Sequence, residues 1–191
     1  MEAATLPASR PITAGEFLAI PEDGISRELI LGEVRERGMT LRNHIHSFIE
    51  AKIVHLLMTW LAPRPKPRGR VSSGEVGFRL RRDPDVLVGI DVAYASAELV
   101  AGTDRATPFY DGPPLLAVEI LSPSDKHEDI VEKIRLYLDA GVIVWEVDPD
   151  FRIVRVHRPG QLTGSFNASQ ELSADPYLPG FRVPVAAFFE D

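Results

Sequence analysis

One segment constrains the fold of this chain more than any other. Leu115-Leu-Ala-Val-Glu-Ile-Leu121 is a continuous apolar run interrupted by one acid, the pattern of a buried central strand. Ser122-Pro123 supplies an N-cap and first-turn pair for a helix running to about Asp139, with Gly141 just beyond as its stop. Val142-Ile-Val-Trp-Glu-Val147 follows as a second buried strand. Strand, helix and strand in this order form a βαβ crossover, which implies a parallel pair within one sheet.

The flanking segments enlarge that sheet. Thr13-Ala-Gly-Glu16 has capping-box form and introduces a short helix through Phe17 and Leu18. Glu28-Leu-Ile-Leu-Gly-Glu-Val34 reads as two short strands turning at Gly32. Residues 44–61 carry apolar side chains at spacings of three and four, the period of a helix, and the prolines of 63–67 stop it. Strands are expected at Val76–Leu80 and Val86–Tyr94, joined by a turn at Arg82–Asp85, with a Gly/Pro-rich loop over 101–114. Phe151–His157 pairs back as a hairpin, and the tail ends in a short apolar stretch at Val185–Phe189. The expectation is an α/β fold with a central mixed β-sheet flanked by helices.

Composition narrows the chemistry. At 191 residues the chain suits one domain. The absence of cysteine excludes a disulfide scaffold, a thiolate zinc site and a thiol nucleophile. No apolar run approaches the roughly 18 residues of a membrane helix, and the N-terminus has no signal-peptide core, so a cytoplasmic protein without membrane contact is expected. The net charge of −7 argues against a generally nucleic-acid-coating surface. That total is uneven: Arg64, Lys66, Arg68, Arg70, Arg79, Arg81 and Arg82 face one acid, Glu75, within residues 63–82. Such a stretch steers a polyanion to one face, or is simply a solvated loop with basic flanks; its prolines favour an extended, exposed connection.

Glu119 and Asp91 are the informative residues, because each sits in the middle of an apolar strand. An unpaired carboxylate there costs several kcal/mol or takes up a proton. A cation removes the penalty: a basic side chain in a plain ion pair, or Mg²⁺ or Mn²⁺ held between two strands by oxygen ligands. Lys133 lies on the border of the following helix's apolar face, three residues after Ile130 and four before Tyr137. It can reach back toward the carboxylates, where a lone helix lysine would ordinarily be solvated.

At this point the residues resemble the Uma-two family, assigned as restriction endonucleases on fold and motifs within the PD-(D/E)XK nuclease superfamily. The resemblance rests on Gly89–Ser96, Val118–Ser124, Lys133 with Tyr137, and Val144–Pro149, supported by Glu28–Glu33 and His46-Ser47. It implies a restriction-endonuclease-like core over about residues 13–157 with a C-terminal extension over 158–191. It further implies Asp91 and Glu119 as metal-binding acids, Lys133 as a lysine moved from the second strand to the next helix, and Glu33 or Glu28 as the early acid. His46 and Tyr137 are accessory candidates, although a histidine at a helix start contacts backbone or solvent as readily as a pocket. Two positions depart from the superfamily pattern: Ile90 replaces the proline before the first acid, and Leu121 occupies the usual lysine slot. A literal Pro84-Asp85 also exists, in a polar turn, but strand context favours Asp91.

The implied activity is Mg²⁺- or Mn²⁺-dependent hydrolysis of DNA, with the 64–82 basic residues on backbone phosphates and a homodimer as the default assembly. The alternative is a catalytically degenerate module of the same fold that binds nucleic acid or a protein partner, favoured by Leu121 and the acidic body. No nucleophile elbow, P-loop or dinucleotide fingerprint suggests another hydrolase, and His44-Ile-His46 is too closely spaced for zinc.

Overall fold

The computed structural model describes residues 10–37 and 43–190. The crossover forms as its sequence requires: β5 (Leu116–Ile120) and β6 (Ile143–Asp148) are parallel, joined by α4 (His127–Asp139). Every other pairing of the main sheet is antiparallel, in the order β2-β1-β4-β5-β6-β7-β8 with β3 also on β4. The remaining elements of that sheet are β1 (Ser26–Ile30), β2 (Glu33–Arg37), β3 (Arg70–Arg81), β4 (Val86–Ala95), β7 (Ile153–His157) and β8 (Gly164–Asn167). The architecture is therefore a central mixed sheet with helices on both faces.

The helices divide the core. α2 (His44–Leu61) lays Ile49, Ile53, Leu57 and Leu61 on one face, over Val92, Val118, Trp145 and Val154. The chain beyond β8 completes that layer. A small sheet of β9 (Glu171–Ser173) and β10 (Arg182–Pro184) and a terminal turn bring Phe181 and Phe188 to 5.4 and 5.9 Å from Trp145, ring centre to ring centre. On the other face α4 sets Ile130, Ile134 and Tyr137 against Ala93, Ala117 and Val144. Such burial contributes roughly 25 cal/mol per Å² of apolar surface.

Three local expectations change. α4 begins at His127, not at Ser122-Pro123. The Ser122 N–H donates to Asp125 Oδ2 (2.7 Å) and the Asp125 N–H returns to Ser122 O (2.9 Å), closing a turn that consumes the intended cap. Glu128 and Asp129 complement the positive helix end instead. The strand expected over Val76–Leu80 is the far half of a twelve-residue β3. A short α3 (Ala97–Gly102), capped by Ser96, overlaps the start of the region read as loop. The ends of α1 (Ala14–Leu18), with its Thr13–Glu16 capping box, and of α4, closed by Gly141 at φ 79°, fall where the sequence puts them.

Candidate active site

The register of the sheet assembles the site. Val92 lies opposite Val118 in the antiparallel β4–β5 pair, so the two acids, each one residue further along, stand at the same level. Asp91 turns its Oδ2 to the Ile120 N–H (2.9 Å), and His46 Nε2 on the first turn of α2 lies 3.2 Å from the same oxygen. Glu119 points to the α4 side. There Tyr137 donates its hydroxyl hydrogen to Oε1 (2.5 Å) and Lys133 Nζ donates to Oε2 (3.1 Å). Lys133 and Tyr137 are four residues apart and so share one face of α4.

Lys133 is 4% exposed and fully engaged: its Nζ also donates to Gly89 O (2.7 Å) and sits 3.3 Å from Glu28 Oε1. Glu28, on β1, accepts the Gly89 N–H (3.1 Å). The helix lysine thus stands among the carboxylates, while Leu121 packs with the α4-side core. The structure brings Glu28, Asp91, Glu119, Lys133, Tyr137 and His46 together. Glu33 is not among them; it opens β2, exposed to solvent. The rival acid Asp85 accepts the Ala14 N–H (2.7 Å) and anchors α1.

The electrostatics are unbalanced. Burial pushes the Glu119 carboxyl up to about 7; Lys133 opposes this, and the negative charges of Asp91 and Glu28 reinforce it. Burial, with Glu119 alongside, also raises the Tyr137 phenol well above its ordinary value.

Sequence reasoning missed two neighbours, Gly89 and Glu75. β3 bulges between Ser73 and Val76, with Gly74 and Glu75 both in the left-handed region (φ 84° and 59°). The bulge lays the Glu75 side chain over β4, and a Cβ on Gly89 would stand 2.5 Å from its Oε2. A glycine inside an apolar strand was the available signal of such a close approach.

The basic stretch does not form one patch. β3 spans it, separating Arg64–Arg70 from Arg79–Arg82 by about 30 Å at 3.3 Å per residue. Arg64 and Arg68 do not lie on an extended, exposed connection: they fold back onto α2. Arg64 stacks on Trp60 and donates to the carbonyls of Trp60 and Pro179; Arg68 donates to those of Leu61 and Ala62 (3.1 and 2.7 Å). The helix end explains this, because its last carbonyls have no partners within the helix and carry partial negative charge. Arg79 and Arg82 both pair with Asp111, and Arg70 reaches the Tyr110 hydroxyl (3.4 Å). Lys66 and Arg81 are exposed.

Residues 14–186 match the family described as "Uma2: Putative restriction endonuclease". The chain belongs to this family. A solved structure from Anabaena variabilis ATCC 29413, described as a "putative nuclease belonging to DUF820", aligns with a TM-score of 0.77 at 23% identity, covering 94% of this chain and 98% of that one. That likeness shows the fold. No curated protein matches the chain.

Among the described residues, no three acidic or histidine side chains converge as a ready-made metal cage. The chemistry of this cluster nevertheless suits a hard divalent cation that keeps most of its water and takes one or two carboxylates from the protein. Asp91 and Glu119 are oxygen donors at one level of the sheet, and burial, reinforced by the charges of Asp91 and Glu28, holds Glu119 near 7 in spite of Lys133. Among the described residues no helix is long and apolar enough to cross a membrane.

Proposed function

We propose that this chain is a cytoplasmic, divalent-metal-dependent endonuclease that hydrolyses phosphodiester bonds of DNA. The carrying observation is that Glu28 and Glu119, from two strands, share one buried lysine, with Asp91 on the strand between them at the level of Glu119. Family membership supplies the reaction class.

Asp91 and Glu119 would hold Mg²⁺ or Mn²⁺. When bound, the ion supplies Lewis-acid polarisation of the phosphate and acidifies its coordinated water. The chain's own groups do the rest. His46 and the Ile120 N–H fix the orientation of Asp91. Tyr137 and Lys133 hold Glu119, and the Lys133 ammonium, with its hydrogen bonds taken by protein acceptors, would offset negative charge developing on the phosphoryl oxygens through its field. Glu28 and Gly89 O keep that ammonium in place. Lys66, Arg70, Arg81 and Arg82 are the basic groups best presented to the DNA backbone, and their contribution weakens as salt rises.

The test is plasmid and single-stranded DNA cleavage with and without Mn²⁺ or Mg²⁺, paired with calorimetric titration of the ion. Cleavage is expected only with metal, and lost in Asp91→Ala, Glu119→Gln and Lys133→Ala. A folded wild-type chain that binds neither ion and cuts neither substrate would favour the non-catalytic module.

A further inference from the structure

α2 has a second face that neither the core nor the site uses. His44, Phe48, Ala51, His55, Met58 and Ala62 are all exposed and follow one another at spacings of four, three, four, three and four. That is the alternating period of a coiled-coil seam, lying opposite the buried row of Ile49, Ile53 and Leu57. Phe48 is 37% and Met58 49% exposed, and the flanking exposed positions are Ser47 and Thr59. No Lys, Arg, Asp or Glu occurs on this face, in a chain where such residues are 26% of the total. Lys52 runs along the border with its Nζ 5.5 Å from the Phe48 ring centre.

We propose that this face is a homodimer interface in which α2 pairs antiparallel with α2 of a second copy. The spacing reads the same in both directions. Antiparallel pairing about Ile53 therefore sets Phe48 against Met58, Ala51 against His55 and His44 against Ala62 of the second copy. Each large side chain meets a smaller or more flexible one, and a methionine sulfur meets an aromatic ring, both favourable contacts. Charge selects the occupant: two chains of −7 repel wherever acids face acids, and this strip is free of them. Two 18-residue helices about 27 Å long bury on the order of 1,000 Å² in total, at the low end of specific interfaces. The dimer therefore forms reversibly with concentration and tightens as salt screens the acidic bodies.

Sedimentation equilibrium of the full chain from 1 to 200 µM tests this. A monomer–dimer equilibrium is expected, tightening between 50 and 500 mM NaCl. Ala51→Glu should weaken it at least tenfold with an unchanged far-UV circular dichroism spectrum. Because the natural chain has no cysteine, orientation is tested by oxidation: a mixture of Ala51→Cys and His55→Cys chains should cross-link faster than either variant alone. A chain monomeric at 200 µM, a dimer indifferent to Ala51→Glu, or fastest cross-linking of Ala51→Cys to itself would overturn the proposal.

Discussion

Two glutamates stand side by side in the parallel pair, Glu119 on β5 opposite Glu146 on β6, and their surroundings treat them in opposite ways. Glu146 accepts from Arg155 (2.6 Å) and lies 2.8 Å from His157 Nε2, both on the neighbouring antiparallel strand. Burial pushes its carboxyl up, but those two hydrogen bonds outweigh burial and its pKa falls below the usual value. Glu119 has a lysine and a tyrosine, yet burial and nearby acids leave it near 7. A balanced ion pair and an acid short of positive charge thus occupy adjacent positions in one sheet. Only the second leaves something for a cation to do.

The largest expected difference is in activity. Glu119→Gln should lower metal-dependent DNA cleavage by about a hundredfold or more, a loss typical of removing one electrostatic group from a site. Glu146→Gln should leave cleavage within about threefold. Equal losses in a plasmid-nicking assay would erase the distinction between the two acids.

Stability against pH comes next. The folded chain keeps the Glu119 proton up to about 7, whereas the unfolded chain loses it near 4.5. Without metal, this group's contribution therefore falls as pH rises across that window, by a few kcal/mol. Glu146 has the opposite sign: its folded pKa is depressed, so its contribution is present at neutral pH and is lost on acidification below the usual carboxylate range. Urea melts of the wild type and Glu119→Gln at pH 4.5 and 8 separate the two, with the variant gaining relative to wild type at pH 8. Mn²⁺ should stabilise the wild type above pH 7 and not the variant, since an ion that binds the folded form shifts unfolding by mass action.

Removing partners gives smaller effects. Glu146→Ala removes the carboxylate shared by Arg155 and His157, leaving them only Asp148 (3.6 Å) and Thr163 (3.1 Å), and should cost about 1–3 kcal/mol in the same melts. Lys66→Ala and Arg81→Ala should each weaken DNA binding only a few-fold, uniformly across sequences, and flatten its salt dependence, measured by fluorescence anisotropy.

The sequence announced what depends on local pattern. The 44–61 helix, the crossover and the two mid-strand acids were all readable from period and polarity. Site details that depend on distant segments were not. Glu28 and Glu33 look equivalent in one hairpin, and only the pairing of β1 with β4 turns Glu28 to Gly89 and Lys133. The basic stretch looked continuous because sequence distance hides a twelve-residue strand running through it. Arg64 and Arg68 looked available for phosphate because nothing local shows that they cap the helix they follow. Ser122 is held in a turn by Asp125 three residues later, so the helix starts beyond both, at His127.

On this reading the Glu28–Asp91–Glu119–Lys133 cluster works with a divalent ion on a phosphodiester bond. Calorimetric titration of Mn²⁺ into the wild type and Glu119→Gln at pH 8, with plasmid cleavage read from the same samples, tests it most directly. Binding and cleavage are expected in the wild type, and loss of both in the variant. Cleavage that survives in Glu119→Gln, or a wild type that neither binds Mn²⁺ nor cuts, would contradict it.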